Sequence, residues 1–130
     1  MATTNTDGGR RKRALLINED TAVRGTLLDV LTALGLEADA ATTGAEGLAL
    51  FARSRYDVVL TDLGMRGTAG GRMLEAVRQR NTLIPVIIVG GAAVRPDDRR
   101  LAQPGVALVT KPVDTASLVA ALARVMPDFG

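Results

Sequence analysis

The chain has no cysteine, no histidine and no tryptophan, and aromatic residues make up only 2% of its 130 positions. Without cysteine there is no disulfide framework and no thiolate chemistry. Without histidine there is no imidazole metal site, no imidazole general base and no histidine phosphotransfer on this chain. So few aromatics leave an aliphatic, alanine-rich core. Such a core suits parallel strands covered by helices better than an aromatic-rich β-sandwich. Long apolar runs are missing too. Nothing approaches the ~18 uninterrupted apolar residues of a membrane span, and the start lacks the apolar stretch of a signal peptide. The expectation is a soluble, cytoplasmic protein with no membrane contact.

What the chain does have is a high hydrophobic content, 47%, and a net charge of +2. Its length fits one domain that buries roughly two-thirds of its unfolded surface. Arg10, Arg11, Lys12 and Arg13 form a basic run. No aromatic residues interleave with those charges, which argues against nucleic acid and for a solvated leader. Residues 1–11 read as a disordered basic leader, 12–126 as the domain and 127–130 as a tail. With so short a tail, no output domain is expected.

Through the domain, short apolar runs alternate with longer amphipathic stretches. Strands are expected at Ala14–Ile17, Leu36–Ala40, Tyr56–Thr61, Pro85–Val89 and Val106–Val109. Helices are expected at Thr21–Leu34, from Thr43 to about Arg53, at Gly70–Arg80, Pro96–Ala102 and from Thr115 to about Val125. Thr43 with Glu46 makes a capping-box pattern, Asp20 and Asp114 are candidate N-caps, and Gly35 stops the first helix. This alternation implies right-handed βαβ crossovers. The expected fold is α/β: a flavodoxin-like (βα)5, doubly wound, five-stranded parallel sheet.

In such a sheet the first and third strands are neighbours at the topological switch point, where ligands bind beyond the carboxyl ends. Asp62 ends the third strand, Asn18-Glu19-Asp20 follows the first, and Lys111-Pro112 follows the fifth. Two acids and a lysine at three strand ends suit a divalent cation and a phosphoryl group. Magnesium takes oxygen ligands, often one or two carboxylates plus phosphate and water. Asp62 would be the nucleophile and Lys111 would neutralise charge on the phosphoryl oxygens. Arg24 reads as an ion-pair partner on the helix surface. Gly64, Gly67, Gly70 and Gly71 lack P-loop spacing, so nucleotide binding is not expected.

These segments together resemble the receiver domain of two-component response regulators. The carriers are Leu15-Leu16-Ile17-Asn18-Glu19-Asp20 with Arg24, Asp57-Val58-Val59-Leu60-Thr61-Asp62-Leu63-Gly64-Met65, Ile84-Pro85-Val86-Ile87-Ile88-Val89 and Thr110-Lys111-Pro112-Val113-Asp114. The resemblance implies that Asp62 is the phospho-acceptor, that Glu19, Asp62 and the main-chain carbonyl of Gly64 hold Mg2+, and that Lys111 contacts the phosphate. It further implies a sensor histidine kinase or phosphotransfer protein as phosphoryl source, a downstream protein target, and no enzyme activity of its own.

The departures from the family pattern are as informative. Asn18 replaces a usual Asp or Glu, and Glu19 a usual Asp. Gly90 stands where a Thr or Ser hydroxyl would bond the phosphoryl oxygen, and Leu108 stands where a switch aromatic is usual. Arg66 replaces a proline. The alternative reading is therefore a pseudo-receiver, an interaction module not regulated by phosphorylation. A flavin-binding flavodoxin shares the topology but would need a phosphate loop and ring-sandwiching aromatics.

Overall fold

A computed structural model describes residues 6–7, 10–62, 70–81, 83–90, 105–110 and 113–126. A short antiparallel pair comes first, β1 (Thr6–Asp7) against β2 (Arg10–Arg11), inside the segment whose composition reads as a disordered leader. The main sheet follows: β3 (Arg13–Ile17), β4 (Glu37–Ala41), β5 (Val58–Asp62), β6 (Val86–Gly90) and β7 (Val106–Thr110). Its order is β4-β3-β5-β6-β7 and every pairing in it is parallel. This is the doubly wound, flavodoxin-like arrangement that the alternating pattern predicts.

The strands run about one residue further than the apolar runs suggest. Asp62 pairs with Val89 and Gly90 with Thr110, so both belong to the sheet and do not follow it. Backbone pairing is indifferent to side-chain polarity, so hydropathy ends a strand too early. Every residue of the central β5 and β6 is buried, as expected for strands covered on both faces. Edge strand β4 is buried only at Ala41 and is the weakest apolar run of the five.

Helix α1 (Thr21–Ala33) starts at Asp20, whose carboxylate accepts the Val23 amide at 3.1 Å. It ends at Gly35, which adopts φ +90, a conformation that glycine reaches without a Cβ clash. In α2 (Gly44–Arg53) Thr43 Oγ1 accepts from the Glu46 amide at 3.1 Å. The Glu46 carboxylate reaches back to the Thr42 amide at 2.7 Å, one residue earlier than the sequence pattern implies. Helices α3 (Gly70–Arg80) and α4 (Thr115–Val125) keep their expected bounds, and Asp114 caps the latter through the Ser117 amide at 2.7 Å. The helix expected at Pro96–Ala102 lies outside the described residues.

Period-two alternation splits the core. Ala14, Leu16, Val58, Leu60, Ile87, Val89, Ala107 and Val109 face α1 and α4, against Leu27, Leu31, Leu118 and Leu122. Leu15, Ile17, Val59, Val86, Ile88 and Val106 face the other side, with Val77, Tyr56 and Phe51. The division decides which side chains can meet at the sheet's carboxyl end.

Candidate functional site

At the carboxyl edge of the sheet, β5 presents Asp62 and the turn after β3 presents Asn18. The last register pair between these strands is Ile17 with Thr61, so Asn18 and Asp62 are the next positions along two adjacent strands. Both fall in phase with Leu16 and Leu60, which puts them on the α1/α4 side. Asn18 is 1% exposed and Asp62 5%, two polar side chains at the rim of an otherwise apolar core. Glu19 and Asp20 are exposed at the mouth.

The hydrogen bonds fix the turn. The Asn18 amide continues the ladder by donating to the Ala41 carbonyl at 3.0 Å. Asn18 Oδ1 accepts the Asp20 amide at 2.9 Å, an Asx turn that leads directly into the capped helix. That contact requires oxygen at this position and so assigns the side-chain amide. Asn18 Nδ2 is then a buried donor with no hydrogen-bond partner among the described residues. Arg24, one turn into α1, donates Nη1–H to the Asn18 carbonyl at 2.7 Å. The sequence reading of Arg24 as an ion-pair residue is corrected here. The guanidinium folds back onto the backbone of the turn, because the first helical turn stands directly above it.

Of the other expected site residues, Gly90 is the buried last residue of β6. Leu108 lies in β7 opposite Ile88 and is half-buried. It lines a recess of 260 Å³ with Ala107, Ser117, Ala120, Ala121 and Arg124. Thr110 is exposed. Gly64, Arg66, Lys111 and Pro112 lie outside the described residues. Among the described residues no three acids, cysteines or histidines cluster closely enough to hold a metal by themselves.

Sequence reasoning missed two features. One is the Arg24–Asn18 bond, for which position within the first helical turn was the only available signal. The other is a polar cluster at the opposite end of the sheet. There Arg13 Nη2 bonds Asp39 at 2.9 Å, its guanidinium lies 5.1 Å from the Tyr56 ring centroid, and Tyr56 Oη donates to Asp39 at 2.7 Å. The Arg13 amide also donates to Asp57 at 2.8 Å. This cluster ties β3, β4 and the entry to β5 together, far from the carboxyl edge. It is structural.

A family model described as the response regulator receiver domain matches residues 14–123. The transcriptional regulatory protein GlrR of Escherichia coli K12 is 33% identical over 83% of this chain, which spans 24% of that protein. The sensor histidine kinase RcsC of Salmonella typhi is 28% identical over 84% of this chain, which spans 12% of that protein. The chain thus matches a fraction of relatives that include both regulators and sensor kinases. The chemotaxis protein CheY4 of Vibrio cholerae superposes with a TM-score of 0.81 at 24% identity, covering 88% of this chain and 98% of that one. At that identity the likeness speaks to the fold. No described helix is long and apolar enough to cross a membrane.

Proposed function

Because the chain belongs to the response regulator receiver domain family, we propose that Asp62 accepts a phosphoryl group from a histidine kinase or phosphotransfer protein and that the chain signals by protein–protein contact. Domains of this family are generally signalling modules and not enzymes, and they typically bind Mg2+ at the phosphorylation site. The observation that carries the reading is the position of Asp62. It is a 5% exposed carboxylate closing the central strand, beside the turn that carries Asn18 and Glu19.

The oxygen donors suit magnesium in a reduced form. Asp62 and the exposed Glu19 supply two carboxylates, and one or two are sufficient when phosphate and water complete the shell. Asp20 is committed to the α1 cap and Asn18 Oδ1 to the Asp20 amide. Asp62, Glu19 and the Gly64 carbonyl would hold the ion, which supplies charge neutralisation at the phosphoryl oxygens. A carboxylate oxygen of Asp62 forms a bond to phosphorus while the bond from phosphorus to the donor nitrogen or oxygen breaks. The leaving atom keeps the electron pair. Lys111 neutralises charge on the transferred group.

The second reading, a pseudo-receiver, is favoured by two positions. Gly90 offers no hydroxyl, and Asn18 offers no anion. Acetyl phosphate with magnesium, followed by intact-protein mass, decides between them. The proposal expects one labile phosphoryl mass that is absent in Asp62→Asn. No gain, even with a cognate kinase, overturns it in favour of the interaction module.

A further inference from the structure

We propose that Asn18 contacts the phosphoryl group itself, its Nδ2–H donating to a phosphoryl oxygen once Asp62 carries one; this rests on the reading of Asp62 as acceptor. The orientation of the amide carries the inference. Oδ1 is held by the Asp20 amide at 2.9 Å, so the side chain turns its nitrogen away from the turn. That nitrogen is buried and has no partner among the described residues. A buried donor without a partner is costly to keep, and one in a folded protein calls for a ligand or another explanation.

Register supplies the neighbour. Asn18 and Asp62 follow the Ile17–Thr61 pair on adjacent strands and share a sheet face. Neighbouring strands lie about 4.8 Å apart, so a group carried by one strand end is within reach of a side chain on the next. The Arg24 guanidinium bonded to the Asn18 carbonyl holds the turn in place and adds positive charge beside it.

The same geometry works against the cation. An amide N–H is a donor, and a metal requires lone pairs. Asn18 therefore removes a ligand from the cation side of the pocket and adds a hydrogen bond on the anion side. It compensates for the hydroxyl that Gly90 lacks, from the opposite flank of Asp62: Asn18 lies at the β3 end and Gly90 at the β6 end, with β5 between them. The pocket keeps a phosphoryl-binding donor but draws it from a different strand.

The test uses two ligands and two variants of the full chain. Magnesium is titrated alone by amide NMR shifts. Beryllium trifluoride, a stand-in for the phosphoryl group on a carboxylate, is then titrated at saturating magnesium. Asn18→Asp keeps the acceptor for the Asp20 amide and exchanges only the donor for an anion. It should bind magnesium about tenfold more tightly. Asn18→Ala should leave magnesium affinity unchanged and weaken beryllium trifluoride binding about tenfold, the effect of one charge-assisted hydrogen bond. A purely structural asparagine would not weaken beryllium trifluoride binding while leaving magnesium affinity unchanged.

Beryllium trifluoride binding in folded Asn18→Ala equal to wild type overturns the proposal. Should Asn18→Ala not fold, Asn18→Asp decides: it keeps the acceptor but lacks the donor, so beryllium trifluoride binding at saturating magnesium as tight as wild type overturns the proposal. A wild-type protein that neither binds beryllium trifluoride nor gains phosphoryl mass overturns the acceptor reading as well.

Discussion

Ile17 occupies the space that a side chain at position 47 would need. A Cβ built on Gly47 would lie 2.5 Å from Ile17 Cδ1 and 2.6 Å from Cγ1, and Ile17 is itself fully buried in β3. Helix α2 can approach the sheet this closely only because one of its residues has no side chain. Gly47→Ala gains about 1 kcal/mol of helix propensity but overpacks the core, at a cost of about 1–3 kcal/mol. The close approach reaches Cγ1 as well as the terminal Cδ1 of a fully buried Ile17, so the net outcome is a loss of about 1 kcal/mol, read as a lower urea midpoint with an unchanged slope. A midpoint at or above wild type would show that the helix shifts freely.

Thr61 is the neighbour of Asp62 in sequence but faces the opposite side of the sheet. Its Oγ1 is buried with no hydrogen-bond partner among the described residues. Thr61→Val replaces that hydroxyl with a methyl among Ile17, Ile88 and the second core cluster. The expected result is a stabilisation of about 1 kcal/mol in chemical denaturation. Phosphoryl acceptance should be unaltered. A variant less stable than wild type would mean that the hydroxyl has a partner in solution.

Tyr56 gives the fold an alkaline sensitivity. Burial raises the pKa of its phenol, and the hydrogen bond to the Asp39 carboxylate and the charge of that carboxylate raise it further. A folded value above the unfolded value of about 10 means a contribution fully present below that pH and lost as pH rises through the folded value. Tyr56→Phe should cost about 0.5–1.5 kcal/mol near neutrality through the lost hydrogen bond. The difference from wild type should narrow above about pH 10. Paired urea titrations at neutral and alkaline pH check this, and a constant gap would contradict it.

Gly90→Ser tests the missing hydroxyl. On the proposed reading, a serine at the end of β6 restores a donor to the phosphoryl oxygen worth about 1.5–3 kcal/mol, or about 10–150-fold in the bound equilibrium. The phosphorylated fraction at steady state with acetyl phosphate should rise, as measured by intact mass. An unchanged fraction in a folded Gly90→Ser protein would show that Asn18 already supplies all the donor strength the group can use.

Much of the architecture could be read along the chain because its cues are local. Asp20, Thr43 and Asp114 cap the helices that their residue types announced, and Gly35 ends α1 where a left-handed residue was needed. The pairing of β3 with β5 followed from the alternation of strands and helices. The cues failed where partners are distant in sequence. Arg13 meets Asp39 and Tyr56 across gaps that no periodicity spans, and the two-residue pair β1–β2 has no apolar signal. Arg24 reads as an ion-pair residue in the sequence because its charge is visible there and the carbonyl beneath it is not.

Composition and pattern alone determined that this protein is a parallel α/β domain with an acid at the end of its central strand, because burial on two faces demands continuous apolar runs and polarity marks their ends. Only the tertiary structure decided which atom of Asn18 faces the turn and which is left without a partner among the described residues. It also decided that Ile17 fills the space a side chain at position 47 would enter. Such outcomes depend on one hydrogen bond or a few tenths of an ångström between segments remote in sequence, and residue identity does not encode those distances.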